Sequence, residues 1–418
     1  MTRRTVPLCA AFAVLAVVAP ACSTSEAPPS GSTASSEAAT TSTAAPAPTP
    51  STGPAVATPV IADVVAAPVP VPGTDGKVHL AYELKLTNVL DQEVTVTSVG
   101  VREGDRTYLD LSGDGLSHWM RIIGNPSPAT KVGPAQTAIV WLDVALDKGV
   151  PVPATLVHTV GISVPKPMPP LFPATMTEVV APVTVQTRKP VVISPPLSGP
   201  GWLDGNGCCD MGAHRMALNP IDGGLWAAER FAIDYVQLGA DGKLFAGDQT
   251  KVASYPYFGA DIHAVADGPV VAAVDGMPEQ VPGKSPTGLA LNEYAGNHIV
   301  QDLGDGNYAL YAHIKTGAVK VKPGDQLKAG QVIGSVGNTG NSDAPHLHFH
   351  VMSTPDPLRS DGLPFVLRSF ALDSRLTNAD ALGPLLDGAP APLQPGVAKR
   401  DENDVIPMDL DVMTYETK

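Results

Sequence analysis

The chain has 418 residues, of which 44% are hydrophobic but only 5% aromatic, and its formal net charge at pH 7 is −14. This length allows about two or three domains, whose cores must be built mainly from aliphatic side chains. The acidic balance, without a basic run that could follow a phosphate backbone, argues against nucleic acid as a partner. The 40 glycines and 43 prolines favour short strands joined by turns, so the composition predicts a mostly β protein.

Residues 1–22 are predicted to be an export signal. Arg3 and Arg4 precede a short apolar run at 6–18, and the small residues 19–21 form a cleavage site. The run is too short to span a bilayer comfortably. Cys22 follows the cleavage site and resembles the lipidated cysteine of bacterial lipoprotein signals, which implies a lipid anchor on the extracellular face of the cell envelope. The alternative is ordinary secretion, with Cys22 incidental.

The next two segments are predicted to be a linker and a β-sandwich. Residues 23–58 are rich in Ser, Thr, Ala and Pro and hold too few large apolar side chains to fold, so they read as a disordered tether. Residues 59–190 contain alternating apolar patterns with turn signals between them, which predicts a small antiparallel sandwich. The clearest patterns lie at 78–87, 94–99, 138–144 and 157–164. The histidines here (His79, His118 and His158) are scattered and expected to be structural, so a spacer or binding role fits this domain best.

A proline- and glycine-rich stretch at 195–201 marks a second boundary, and seven of the ten histidines lie beyond it. Residues 196–372 are predicted to form a second domain of short strands joined by Asp-Gly turns, which suit tight hairpins. The predicted strands lie at 262–274, 298–303, 308–313 and 331–336. From residue 373 the pattern is lost, and 373–418 are expected to be an extended acidic tail.

The segment 345–351, Pro-His-Leu-His-Phe-His-Val, carries the strongest functional signal. In a strand, alternate side chains share one face, so His346, His348 and His350 point one way and the apolar residues between them point into a core. Three imidazoles on one face are typical of metal binding or acid–base chemistry.

Four motifs together resemble the lysostaphin/LytM-type zinc peptidases, which cut peptide cross-links in bacterial peptidoglycan. They lie in the same order and spacing as in that family, within about residues 215–355, and occupy 264–271, 296–313, 322–334 and 340–349. The resemblance implies an antiparallel fold of the duplicated hybrid type, one Zn²⁺ ion and peptidoglycan peptides as substrate.

The resemblance also implies residue roles. His348, the second histidine of the His-x-His pair, and Asp234 would be zinc ligands, while His313 and His346 would be unligated catalytic histidines. Zinc held by three protein ligands keeps a fourth position for water and lowers the pKa of that water towards about 7. A neutral imidazole nearby can then accept the proton.

One position departs from the family. Its first ligand is a histidine four residues before the aspartate, and here that position is Arg230, whose guanidinium has no lone pair to donate. Three substitutes are open: His350, His214, or a thiolate of Cys208 or Cys209. His350 lies about 7 Å along the same strand as His348, whereas His214 comes from a separate loop, so His214 is favoured.

Two functions remain open at this point. One is a zinc metallopeptidase acting on peptidoglycan, in which Arg230 could bind an acidic group of the substrate. The other is a degenerate LytM-like module that binds peptidoglycan or regulates other cell-wall hydrolases. The missing ligand favours the module, whereas the retained Asp234, His313, His346 and His348 favour the enzyme.

Overall fold

The structure is a computed structural model and describes residues 55–416. The predicted export signal, Cys22 and residues 23–54 of the predicted linker lie outside the described residues. Within the described part, no helix is long and apolar enough to cross a membrane.

Residues 59–185, which we call the N-terminal β region, contain ten strands and one short helix. They are β1 (Val60–Val64), β2 (Val71–Pro72), β3 (Lys77–Asn88), β4 (Val94–Glu103), β5 (Arg106–Ser112), α1 (Gly113–Trp119), β6 (Met120–Ile122), β7 (Lys131–Val132), β8 (Thr137–Asp147), β9 (Thr155–Ser163) and β10 (Thr175–Thr184). One five-stranded sheet has the order β1-β3-β8-β6 with β2 beside β3, and the other the order β10-β9-β4-β5 with β7 beside β4. Buried side chains of both sheets form one hydrophobic cluster.

Strand β3 is buried on both faces. Leu80, Tyr82 and Leu84 point into the cluster that the two sheets share. Ala81 and Glu83 point the other way, yet their exposed fractions are only 1% and 0%. Alternation assigns these two residues to the outer face, and that face is covered by the C-terminal part of the chain.

Residues 191–416, which we call the C-terminal β region, contain seventeen strands and two short α-helices. They are β11 (Val191–Ile193), β12 (Gly199–Gly205), α2 (Ala213–Met216), β13 (Asn219–Ile221), β14 (Gly224–Trp226), β15 (Ile233–Gln237), β16 (Asp261–His263), β17 (Gly268–Val274), β18 (His298–Gly304), β19 (Asn307–Ala312), β20 (Gln326–Leu327), β21 (Val332–Ser335), β22 (Leu347–Met352), β23 (Gly362–Leu363), β24 (Phe365–Leu367), β25 (Phe370–Arg375), α3 (Leu382–Leu386), β26 (Arg400–Glu402) and β27 (Asp411–Tyr415). The prediction of a mostly β chain is confirmed.

Most of these strands form one eleven-stranded sheet with the order β20-β17-β18-β19-β22-β15-β12-β27-β25-β26, and β23 also pairs with β22. Its strand pairs are antiparallel. The histidine-rich strand β22 lies near the middle, with Leu347, Phe349 and Val351 in the core. The alternation predicted for this strand therefore places its histidines on the opposite face. The predicted strand at 262–274 is instead two strands, β16 and β17.

The structure contradicts the prediction that residues 373–418 form an extended acidic tail. Strand β27 lies between β12 and β25 inside the large sheet, and Val412, Met413 and Tyr415 are buried in its core. The sequence does not predict β27 because this strand has only five residues and follows a segment rich in proline and acidic side chains.

The two regions share a core and polar contacts. Val71 and Ala81 of the N-terminal β region pack within the C-terminal hydrophobic cluster. The hydroxyl of Thr74 donates a hydrogen bond to the carboxylate of Asp411. The N-terminal β region is therefore held against the C-terminal one rather than serving as a spacer.

His79 lies at this junction and is charged near neutral pH. Burial lowers the pKa of His79, but Asp143 and Asp75 outweigh burial and raise that pKa to about 9. Nδ1 of His79 lies 2.9 Å from Asp143 Oδ2, and Nε2 lies 3.2 Å from Asp75 Oδ2. Because both ring nitrogens donate to carboxylates, His79 is a structural cation, as its isolated position predicts.

We expect His79→Gln to destabilise the protein in a pH-dependent way. A group whose pKa is raised on folding stabilises the folded state below its unfolded pKa, about 6.5 for histidine, and loses that effect as pH rises through the folded value. The variant should therefore lose roughly 2 kcal/mol of unfolding free energy at pH 6 and much less at pH 10. Urea unfolding of both proteins at the two pH values measures this. An equal loss at both would show that His79 acts by packing alone.

Candidate active site

Three neighbouring strands place the predicted site residues together. In the sheet register, Asp234 of β15 lies opposite His348 of β22, and His348 lies opposite Ala312 of β19. His313 directly follows Ala312. The predicted site therefore lies across β15, β22 and β19, close to the middle of the sheet.

His313 turns into the site through an unusual backbone conformation. Its φ of 61° is left-handed, which is uncommon for a residue other than glycine. Its Nδ1 donates a hydrogen bond of 2.7 Å to the carbonyl of Thr339. A Cβ on Gly296 would lie 2.4 Å from that same carbonyl oxygen. Glycine at 296 is therefore needed for the close approach that orients His313, and Nε2 is left free.

His346 is oriented in the same way. Its Nδ1 donates to the carbonyl of Ala344 at 2.8 Å, so its Nε2 carries the lone pair when the ring is neutral. That Nε2 lies 3.3 Å from Asp234 Oδ1. The ring centroids of His346 and His313 are 4.7 Å apart. The two histidines implied to be catalytic therefore stand side by side.

His214, from the loop that precedes β15, also reaches the site. Its Nδ1 donates to the carbonyl of Ala232 at 3.0 Å, and its Nε2 lies 3.1 Å from Asp234 Oδ2. The ring centroids of His214 and His348 are 4.8 Å apart. A carbonyl can only accept, so this contact fixes the tautomer and leaves Nε2 as the donor atom for a metal.

His350 contacts His348 at the ring nitrogen that does not face Asp234. Nδ1 of His348 lies 2.9 Å from Asp234 Oδ1, and Nε2 of His348 lies 2.8 Å from Nδ1 of His350. Burial and the nearby imidazoles hold the pKa of His350 well below its usual range, so its ring is neutral. His348 thus turns Nδ1 towards Asp234, the other candidate ligand, and Nε2 towards His350. His350 thus contacts a candidate ligand but belongs to neither of the compact donor sets at this site.

The carboxylate of Asp234 is contacted by three histidines of the site. Burial alone would raise the pKa of Asp234, but His214 and His346 outweigh it and hold that pKa well below its usual range. Asn206 also donates to Asp234 Oδ2 at 2.9 Å. Burial lowers the pKa of His214, and Asp234 reverses the effect and raises that pKa to about 9. Asp234 is therefore ionised.

His313 differs from His214 and His346 in charge. Burial, together with the charges of His346 and His348, holds the pKa of His313 well below its usual range. Burial also lowers the pKa of His346, but Asp234 outweighs it and raises that pKa. The site therefore places a neutral imidazole beside one that readily holds a proton.

Two sets of donor atoms in this cluster are compact enough to hold a metal ion. One atom from each of His214, Asp234 and His348 lies within 4.8 Å of the others, and the same is true of His313, His346 and His348. Two imidazoles and one carboxylate are a common ligand set for catalytic zinc. In the first set, the carbonyl of Ala232 fixes the tautomer of His214 so that its Nε2 faces Asp234.

The substrate role considered for Arg230 and the thiolate alternative for the third ligand are both corrected here. Arg230 is only 5% exposed and pairs with the carboxylate of Glu83, so it does not face the site and cannot bind substrate there. Cys208 and Cys209 are joined in a vicinal disulfide, so neither provides a thiolate. A third compact set, which includes Cys209 with His79 and Asp143, is no metal site because both nitrogens of His79 are already paired.

Asn206 contacts Asp234 in the site, and Glu83 contacts Arg230 outside it; the sequence analysis identified neither residue. Asn206 lies 28 positions before Asp234 in a Gly-Asn-Gly turn, and no local pattern links the two residues. Glu83 did carry a signal. It is a charged residue in a long strand pattern, on the face that alternation assigns to solvent. Its burial depends on a contact from 147 positions away.

Comparison with known proteins bears on the same part of the chain. Residues 255–360 match peptidase family M23. Glycyl-glycine endopeptidase ALE-1 of Staphylococcus capitis is 35% identical over 136 residues, which are 32% of this chain and 33% of that protein. Lysostaphin of Staphylococcus simulans is 44% identical over 78 residues, 18% of this chain and 15% of that protein. Peptidoglycan DD-endopeptidase ShyC of Vibrio cholerae is 31% identical over 94 residues, which are 22% of this chain and 19% of that protein. The chain thus matches a third or less of the length of each relative.

Among solved structures, the catalytic domain of lysostaphin aligns with 39% of this chain and 88% of its own, with 25% identity and a TM-score of 0.22. That score is too low for an argument from shape. The sequence matches and the histidine and aspartate cluster define a domain of the metallopeptidase class. The C-terminal part of this chain carries a lysostaphin/LytM-type domain of peptidase family M23. The matched residues include His313, His346 and His348 and begin after Asp234.

Proposed function

We propose that the C-terminal β region is a zinc peptidase and that His214, Asp234 and His348 hold the metal. The observation that carries this proposal is the contact of His214 Nε2 with Asp234, 3.1 Å from the carboxylate oxygen. It supplies a third protein ligand even though Arg230 stands where the family has histidine. Bound zinc would polarise the substrate carbonyl and lower the pKa of a bound water.

The remaining residues of the site act on protons and orientation. His313 is buried and neutral, and its free Nε2 can accept a proton from an attacking water. His346 presents its Nε2 beside Asp234 and holds a proton more readily, so it can donate to the oxygen that becomes negative in the transition state. Thr339 and Ala344 keep both rings in these tautomers.

We propose peptide bonds of peptidoglycan as the substrate. The names of the relatives support this, since ALE-1 is a glycyl-glycine endopeptidase and ShyC a peptidoglycan DD-endopeptidase. The site itself supports peptide hydrolysis, because it combines a candidate metal ligand set with two oriented imidazoles in one cluster. A catalytically inactive module that binds peptidoglycan or regulates other wall hydrolases is the alternative outcome of the experiments below.

The metal assignment predicts a graded loss of zinc affinity. His214→Ala removes a direct ligand and should weaken zinc binding by more than about 100-fold, whereas His350→Ala removes only support for His348 and should cost roughly tenfold. His263→Ala is the matched control, because its Nδ1 also contacts a backbone carbonyl, at 3.0 Å, but it belongs to neither compact donor set. Competition with a chromogenic chelator measures all four proteins.

Equal affinity in His214→Ala and the wild type would exclude His214 as a ligand. Wild type that takes up no zinc would exclude the enzyme and leave the binding or regulatory module.

The catalytic assignment predicts a different signature for His346. His346→Ala should lower hydrolysis of purified peptidoglycan by at least about 100-fold, because it removes acid–base assistance. Its zinc content should stay near that of the wild type, since His346 is not in the proposed ligand set. Turbidity loss of a peptidoglycan suspension and metal analysis of the same samples test this. Parallel loss of zinc and activity would instead make His346 a ligand.

We also propose that the protein is held on the extracellular face of the envelope by a lipid on Cys22, with the predicted linker as tether. The order of apolar run, small residues and cysteine supports this. Mass spectrometry of the mature N-terminus from the native host should find diacylglycerol on Cys22, and Cys22→Ser should release the protein from the membrane fraction. An unmodified mature N-terminus would replace anchoring by secretion.

A further inference from the structure

Glu83 of the N-terminal β region forms a buried ionic triad with two arginines of the C-terminal β region. The carboxylate is 0% exposed, and Arg215 and Arg230 are 1% and 5% exposed. Arg230 Nε lies 3.0 Å from both carboxylate oxygens. Arg215 Nη1 donates to the other side of the carboxylate. Burial raises the pKa of Glu83, but the two guanidinium groups outweigh it and hold that pKa below its usual value.

Hydrogen bonds extend from the triad to backbone on both sides of the junction. Arg215 Nη2 donates to the carbonyl of Leu142 on β8 at 3.1 Å. Arg230 Nη1 donates to the carbonyl of Gly362 on β23 at 3.1 Å. A Cβ on Gly362 would lie 2.7 Å from the carbonyl oxygen of Ala228, so glycine is required for this close approach. The triad therefore links β3 and β8 to three segments of the C-terminal β region.

Two of these segments carry a proposed zinc ligand, and the third pairs with the strand that carries the remaining one. Arg215 is the neighbour of His214 in α2. Arg230 precedes Asp234 by four residues, and the carbonyl of Ala232, which fixes the His214 tautomer, lies between them. Gly362 pairs with Met352 on β22, the strand of His348. One carboxylate from outside the matched family domain is thus connected to every proposed ligand.

The energetics favour a role in geometry over one in stability. A buried ionic triad is weak evidence for stability, since apolar side chains of similar volume often serve as well or better. What charged hydrogen bonds add is direction, because each guanidinium must keep its planar fork on the carboxylate. Asp361, 3.7 Å from Arg230 Nη2, offsets the second positive charge.

We propose that Glu83 is a positioning residue for the metal site, which through Arg215 and Arg230 sets the relative placement of His214, Asp234 and His348. The inference deepens the proposed zinc function and rests on it. Arg230 has a positive role here: at the position of the family's ligand it anchors the ligand strand to the N-terminal β region.

The first test compares Glu83→Gln with Glu178→Gln in the full chain. Glu178 is the matched control, because it is 2% exposed in the same region but contacts the backbone nitrogen of Val60 at 3.1 Å instead of an arginine. Both variants are measured well below their unfolding temperatures by chelator competition. Glu83→Gln should weaken zinc binding at least tenfold, and Glu178→Gln less than twofold. Equal affinities in Glu83→Gln and the wild type would overturn the inference.

The second test separates positioning from stability. The triple variant Glu83→Leu, Arg215→Met, Arg230→Met fills the same space with apolar side chains and should recover the unfolding temperature. Its zinc affinity should stay at least tenfold below that of the wild type. Recovery of affinity together with stability would mean that packing alone sets the site. Failure of both this variant and Glu83→Gln to fold would assign Glu83 to stability and overturn the inference.

A metal-free readout keeps this inference separate from the zinc proposal. Imidazole proton–nitrogen spectra of metal-free protein with ¹⁵N-labelled histidine report the contacts of His214 and His348 directly. Their resonances should shift in Glu83→Gln, while those of His263 should not. If wild type binds no zinc, the proposed function fails, and these spectra still decide whether Glu83 positions the histidines. Unshifted resonances would exclude that role.

Discussion

The burial of Glu83 between two guanidinium groups is the constraint on which the arrangement of this molecule depends. An unpaired carboxylate or guanidinium in that position would carry a large desolvation penalty. The N-terminal β region must therefore place β3 so that its outer face meets α2 and the turn before β15. Because β3 is a central strand of its own sheet, this contact fixes the whole region against the face of the C-terminal one.

Arg230, at the position where the family resemblance implies a ligand histidine, is easier to understand in this setting. In isolation, a permanent cation near a metal site would oppose metal binding. Here the positive charge is turned away and neutralised by Glu83, 3.0 Å from Arg230 Nε. In the proposed site His214, whose ring reaches Asp234 from the preceding loop, takes the place of the missing donor. The family motif alone shows the missing ligand histidine but not the position of His214.

The sequence predicted the parts of the site that depend on local pattern. Alternation in β22 places His348 and His350 on one face, and the family resemblance assigned His313 and Asp234 to the same site. It could not predict the parts that depend on long-range packing. Sequence favoured His214 only by excluding His350, and the contact itself depends on a short helix held by Arg215. The fold of residues 373–416 was missed because β27 is completed by neighbours far away in sequence.

The outer face of β3 shows why alternation within one strand does not predict such a contact. In an antiparallel sandwich the outer faces usually meet water, so Ala81 and Glu83 match the expected alternation whether or not another domain covers them. Only a partner with complementary charge distinguishes the two cases, and that partner lies more than a hundred residues away. Glu83 is the one acidic residue of β3, and Arg230 stands where the family resemblance implies a ligand histidine, so the two departures are opposite in charge. Each is unexplained alone, and together they indicate that the two regions form one functional unit.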